Sequence, residues 1–209
     1  MRAEPPPLVL QRLGRVEYLP TLEAMRAFTE VRSPDAADEL WVLEHPPVYT
    51  LGVRSDPRHE PSAATGIPIV RSNRGGEITY HGPGQAIVYT LVDLARRGLK
   101  VREFVRMLEQ SVIDLLADCG VVATRRAGAP GVYVREAKVA ALGLRVSRGR
   151  AYHGIALNVD MDLSPFLAID PCGFPGLAVT QTRDLGVAGA ADTIGERLGA
   201  TLARKLGHA

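Results

Sequence analysis

Lysine is nearly missing from this chain: of 25 basic residues in 209, only Lys100, Lys138 and Lys205 are lysine, and the rest are arginine. Arginine does not give up its proton near neutral pH, so a site that must exchange one needs a lysine, and there are three places to look. Cysteine is scarce too. Cys119 and Cys172 allow one disulfide at most and lack metal-ligand spacing, which argues against a disulfide-built scaffold and a structural zinc site. An excess of one charge is also lacking: 25 basic against 23 acidic residues leave +2, which gives no nucleic-acid footprint. No apolar run reaches the roughly 20 residues of a membrane-spanning helix. Met1 to Pro7 has no apolar core of the kind a secretory signal needs, so a cytoplasmic protein is expected.

What is present suits one domain over residues 1–209, with 1–7 as a Pro-rich lead-in. Strand patterns are expected at Leu8–Leu10, Leu40–Leu43, Val48–Leu51, Ile67–Val70, Ala86–Val92, Gly131–Val134, Lys138–Val146 and Tyr152–Val159. Apolar residues at helical spacing predict helices around Leu19–Phe28, Val101–Cys119 (stopped by Gly120) and Ala191–Leu206. Arg148-Gly149 reads as a hairpin turn, and Asp162–Leu167 as a short turn or helix. Strands mixed with a few helices point to an α/β or α+β fold with a mixed sheet.

Chemistry has a few candidate places. Cys172, between Pro171 and Gly173, is either a nucleophile on a shaped loop or a buried core thiol, whereas Cys119 falls on a helix's apolar stripe. Lys138 precedes the apolar run Val139–Leu144, where a lysine either snorkels to solvent or sits partly desolvated and able to trade a proton. Lys100 and Lys205 lie near helix ends, where a solvated cation complements the dipole. Gly75-Gly76 and Gly82-Pro83-Gly84 surround Thr79, Tyr80 and His81. That stretch is either an anion-cradling loop or a plain turn, and it matches neither nucleotide-binding glycine fingerprint. Among five histidines none forms a metal-binding pair. His81 and His153 suit a cleft or a structural role, and His45 and His59 are read as loop or structural residues.

Five segments in order resemble the lipoyl(octanoyl) transferase family of lipoate biosynthesis. They are Glu44–Gly52, Arg74–Gln85, Lys138–Arg145, His153–Asn158 and Pro171-Cys172-Gly173. The resemblance implies the catalytic-domain fold of biotin and lipoate ligases: a mixed sheet flanked by helices, with a smaller sheet lobe. It implies a monomeric enzyme that moves an octanoyl or lipoyl group from acyl carrier protein to a lysine of a lipoyl domain, on a 2-oxoacid dehydrogenase E2 subunit or the glycine-cleavage H protein. No cofactor is implied, because octanoyl-phosphopantetheine arrives on the carrier as substrate; neither nucleic acid nor membrane is a partner.

Carried onto this sequence, the resemblance makes Cys172 the acyl-thioester nucleophile and Lys138 its acid/base partner. Arg74, Gly75, Gly76, Glu77, Ile78, Thr79, Tyr80 and His81 match substrate-binding segments, as do Ala141, Leu142, Gly143, Gly154, Ile155 and Ala156. Ala141 stands where serine is frequent. Val179–Thr182 departs from a common Thr-Ser pair and is given no site role. Tyr80, Leu142 and Ile155 are expected to wall an apolar acyl slot. An ATP-dependent ligase of the same fold and a non-catalytic carrier-binding module are the competing readings.

Overall fold

The computed structural model describes residues 8–62, 65–169 and 176–207, and all counts and contacts below are among these residues. The lead-in 1–7 and Cys172 lie outside them. A seven-stranded sheet has the order β1-β2-β6-β10-β9-β8-β7, with β1 and β2 parallel and every other pair antiparallel. Its strands are β1 (Leu8–Arg15), β2 (Asp38–Glu44), β6 (Gln85–Asp93), β7 (Thr124–Arg126), β8 (Ala129–Val134), β9 (Ala137–Ser147) and β10 (Arg150–Asn158). A second sheet pairs β4 (Ile69–Arg71), β3 (Val48–Leu51) and β5 (Ile78–His81) in that order. This is the mixed sheet with a smaller sheet lobe that was expected.

The large sheet is buried on both faces, which is why β6 reads as a nearly unbroken apolar run. Ala86, Val88 and Val92 face α2 (Val101–Ala117) and α3 (Ala191–Gly207), while Ile87, Tyr89 and Leu91 face α1 (Tyr18–Val31). α1 buries Tyr18, Leu22 and Met25 at helical spacing, and α2 does the same with Phe104, Leu108, Val112 and Leu115. Gly120 (φ +78°) ends the α2 segment, letting Val121 N–H return to Leu116 O at 2.9 Å. On α3, Gly195 and Gly199 let the helix approach β1 and β2. A Cβ at these positions would stand 2.8 Å from Val42 Cγ1 and 2.7 Å from Leu10 Cδ1.

Lys100 corrects one sequence expectation. It precedes the first residue of α2, the end at which a cation does not complement the dipole, and Glu103 caps its main-chain N–H at 2.9 Å. Lys205 does lie in the last turn of α3, paired with Asp114.

The chain leaves the large sheet for the small one through His45-Pro46-Pro47 and returns through Gly82-Pro83-Gly84. These crossings are tied together: Gly84 N–H donates to Glu44 Oε2 at 2.6 Å, and Gly84 O accepts from Val159 and Asp160 N–H. A Cβ on Gly84 would meet Asp160 O at 1.9 Å, so this glycine serves the close approach. The Gly-Pro-Gly motif is therefore a crossover and not an anion cradle. β5 escaped sequence reading because its four residues pair with β3, and nothing local announces that partner.

Candidate active site

Between the two sheets lies a cleft of about 730 Å³, open mouth included. Its floor follows from strand register. Gly154 stands opposite Tyr89 on β6 and Gly143 on β9, and Ala156 stands opposite Ile87 and Ala141. Four small residues side by side on β9 and β10 make a trough in the sheet, with Ile87 and Tyr89 rising beside it. No larger residue fits at Gly154, where a Cβ would be 2.1 Å from Val88 O. Side chains alternate across a strand, so Leu142 and Ile155 turn to the core beneath and give the cleft mainly their main chain.

The 74–79 segment roofs the trough. Gly75 N–H donates to Leu144 O at 2.8 Å, and Gly76 O accepts from Arg54 N–H at 3.1 Å, pinning the loop to β9 and to the small lobe. Gly52 makes the approach possible, since a Cβ there would lie 2.3 Å from Gly76 O. Arg74 is buried. Its Nη2 donates to Thr50 O at 2.5 Å and Oγ1 at 2.8 Å, and its Nη1 donates to Gly75 O at 3.1 Å. Gly76, Glu77, Ile78, Thr79 and His81 line the cleft. Gly75 and Tyr80 do not: Gly75 holds the loop, and the Tyr80 ring packs on Tyr49 and Phe166 under the small sheet. The tyrosine expected in the acyl wall thus belongs to the lobe's own core.

Aromatic rings from distant elements close one side. Tyr18 of α1, His45, His81, Tyr89 and His153 form a chain of ring contacts with centroids 5.2 to 6.1 Å apart. His45 Nδ1–H donates to Val16 O at 2.6 Å, which leaves Nε2 to accept from Tyr89 O–H at 2.8 Å. His81 Nδ1–H donates to Gln85 Oε1 at 2.7 Å. His153 has a left-handed backbone, φ +64°, which is costly for a residue with a Cβ. That conformation breaks the alternation of β10, so that its imidazole stacks on Tyr152 at 5.0 Å and bonds Asn73 Oδ1 at 2.9 Å.

Burial is the main reason these imidazoles stay neutral: it pushes His45 down to about 4 and His81 and His153 to about 3, with the Arg74 charge adding to the effect on the last two. In the unfolded chain all three titrate near the ordinary 6.5. Between these values the unfolded state binds more protons, so the stabilisation from neutral burial is complete above about pH 6.5 and is lost as pH falls toward 4 and then 3. We expect the free energy of unfolding to drop between pH 7 and pH 5, by up to about 1.4 kcal/mol per pH unit for each ring. Urea titrations at the two pH values check this, and equal midpoints would mean that the rings are already charged or hydrated.

Lys138 of β9 enters the cleft with 3% of its surface exposed. Its Nζ donates to Pro130 O at 3.2 Å and stands 5.3 Å from the centre of the Tyr133 ring. Gly131 makes room for it: a Cβ there would lie 3.0 Å from Lys138 Cε. The lysine main chain is clamped by the strand-like segment 178–180, with Lys138 N–H donating to Ala178 O at 2.8 Å and Thr180 N–H donating to Lys138 O at 2.9 Å. Val179 lines the cleft. Val179 and Thr180, in a stretch given no role from sequence, therefore belong to the site. Tyr18, Thr50, Tyr89, Asn158 and Phe166 were missed as well; only the alternating parity of β6 and β10 could have hinted at Tyr89 and Asn158.

Among the described residues no group of three His, Cys, Asp or Glu side chains is placed to hold a metal ion, and no helix is long and apolar enough to cross a membrane.

A large mixed sheet with a smaller sheet packed beside it is the architecture of the catalytic domains of lipoate and biotin protein ligases. In fold the chain is similar to a lipoate-protein ligase A bound with ATP (TM-score 0.74, 16% identity, 97% of this chain and 85% of that one). It is also similar to a bi-partite lipoate protein ligase from Thermoplasma acidophilum (0.74, 17%, 98% and 84%) and to a biotin protein ligase from Aquifex aeolicus (0.55, 13%, 95% and 68%). Residues 17–201 match the lipoyl protein ligase A/B catalytic domain family. Sequence narrows this further. The chain is 65% identical over 188 residues to the octanoyltransferase of Thiobacillus denitrificans, covering 90% of this chain and 86% of that one. It is 56% identical over 200 residues to that of Dechloromonas aromatica, covering 96% and 97%. The chain belongs to the octanoyltransferase family within the lipoyl protein ligase A/B catalytic domains.

Proposed function

We propose that this acyltransferase carries an octanoyl or lipoyl group from the phosphopantetheine thioester of acyl carrier protein to a lipoyl-domain lysine by way of a thioester on Cys172, with Lys138 moving the protons. The observation that carries the reading is Lys138 itself. It is a lysine in an arginine-rich chain, buried in a cleft beside an apolar trough and clamped through its main chain. A trough of glycine and alanine suits a thin alkyl chain, and burial of each methylene is worth about 0.8 kcal/mol.

In the first half, the Cys172 thiolate attacks the carrier thioester. The bond from the acyl carbon to the pantetheine sulfur breaks, and the Lys138 ammonium protonates the departing sulfur. In the second half, the amine of the acceptor lysine attacks the acyl-enzyme. Cys172 leaves as thiolate, and the now neutral Lys138 takes the amine's proton, which restores both groups. An arginine could not run this cycle. Gly75 and Gly84 N–H groups are already spent on Leu144 O and Glu44, so neither serves the oxyanion. The acceptors in this reading are lipoyl domains of 2-oxoacid dehydrogenase E2 subunits and the glycine-cleavage H protein, and the enzyme works as a cytoplasmic monomer without a cofactor of its own.

Likeness to the ligases at 11–17% identity concerns the fold alone, whereas the relatives at 52–65% identity are octanoyltransferases. Mixing the enzyme with octanoyl-carrier protein in the absence of ATP is expected to add the mass of one octanoyl group at Cys172, and a lipoyl domain then removes it. Transfer that appears only with ATP and free acid would favour the ligase chemistry. Full activity in Cys172→Ser would remove the thioester from the mechanism.

A further inference from the structure

Behind the cleft a buried polar chain runs from the roof to Lys138. His81 Nδ1–H donates to Gln85 Oε1 at 2.7 Å, and Gln85 Nε2–H donates to Asn158 Oδ1 at 2.9 Å. Asn158 Nδ2–H then donates to Thr180 O at 3.0 Å, and Thr180 N–H donates to Lys138 O at 2.9 Å. Asn158 is the pivot of this chain. It is 5% exposed and lines the cleft, and its main-chain O also accepts from Thr182 N–H at 3.0 Å. It therefore grips the 180–182 segment at two points, and that segment in turn holds the main chain of Lys138.

We propose that Asn158 is a positioning residue for acyl transfer, fixing segment 178–180 on β9 so that Lys138 presents its amine at one place in the cleft. The side chain acts through Thr180 and moves no proton itself. Its amide suits the task because one end must accept from Gln85 while the other donates to a carbonyl, which an ionised carboxylate of the same shape does not do. A buried polar network of this kind specifies one arrangement when every member is satisfied. A displacement of Lys138 of the order of 1 Å costs about 10²-fold in rate. The inference rests on the reading of Lys138 as the proton carrier.

Asn158→Asp keeps the shape and the acceptor for Gln85, and exchanges the donor to Thr180 O for a second acceptor. In single-turnover measurements, both acyl-enzyme formation and transfer to the lipoyl domain are expected to slow by about 10- to 100-fold, with the KM for octanoyl-carrier protein within about threefold. Lowering the pH protonates the new carboxyl group and restores a donor, so the deficit relative to the parent narrows in acid. If Asn158→Asp does not fold, the shorter Asn158→Ser is read in the same two assays. A higher KM at unchanged rates would reduce Asn158 to part of the trough floor and overturn the proposal, as would parental rates in a folded variant. Lys138→Met run in parallel separates the two failures. If it is inactive while Asn158→Asp is normal, only the positioning role falls; if it is active, the reading beneath it falls.

Discussion

Replacing Lys138 with methionine is expected to lower octanoyl transfer by about 10²- to 10⁴-fold, the range for a lost general acid/base, while thermal unfolding stays close to that of the parent. Methionine keeps the length and the apolar stem that passes Gly131 and Tyr133, and loses only the amine. Lys138→Arg restores a cation and is expected to remain in the same low range, since a guanidinium does not release its proton. Both half-reactions suffer in this mechanism, so adduct formation on Cys172 and its discharge to a lipoyl domain should be timed separately by mass spectrometry. Rates within a few-fold of the parent in the methionine variant would make Lys138 a structural cation held by Pro130 O.

The second large effect concerns stability and lies away from the cleft. Asp38, at the start of β2, is fully buried and receives three guanidinium groups. Arg32 Nη2 and Arg96 Nη2 reach Oδ1 at 2.8 and 2.7 Å, Arg97 Nε reaches Oδ2 at 2.6 Å, and Asp93 N–H adds a fourth donor at 2.9 Å. Arg97 also donates to Leu206 O, so one carboxylate gathers the ends of α1, β6 and α3. Asp38→Asn keeps the shape but leaves three like charges close together, two of them on side chains no more than 2% exposed. Removing one partner of a buried ion pair costs about 3–5 kcal/mol, or about 10 °C in unfolding midpoint for a chain of this size. Urea unfolding of the two proteins measures it. A loss below about 1 kcal/mol would mean that the arginines find solvent at little cost.

Much of this protein is local and can be read along the chain. The stripes of α2 and α3, the stop at Gly120 and the Arg148-Gly149 turn (φ +51° and +79°) are each decided by neighbours a few residues away. Lys138 was marked by its own rarity. Three of the missed or misplaced features are non-local. β5 forms only because β3 lies beside it, Asp38 matters only because Arg32 from the end of α1 and Arg96 and Arg97 from the turn after β6 converge on it, and Tyr80 lost its place in the acyl wall to Tyr49 and Phe166. Leu142 and Ile155 were expected in the acyl wall from their place in the motifs, although strand parity turns Ala141, Gly143, Gly154 and Ala156 toward the cleft in their stead.

Residue order alone settled the three long helices and most of the strands, and which rare side chains can do acid/base or thiol chemistry, because both depend on short-range pattern and on the functional group itself. Tertiary structure decided what those segments enclose. By placing β10 between β6 and β9, it turned scattered glycines and alanines into one trough and set Lys138 against the 178–180 segment. Pairing between strands fixes who faces whom, and that information belongs to the partner strand as much as to the residue.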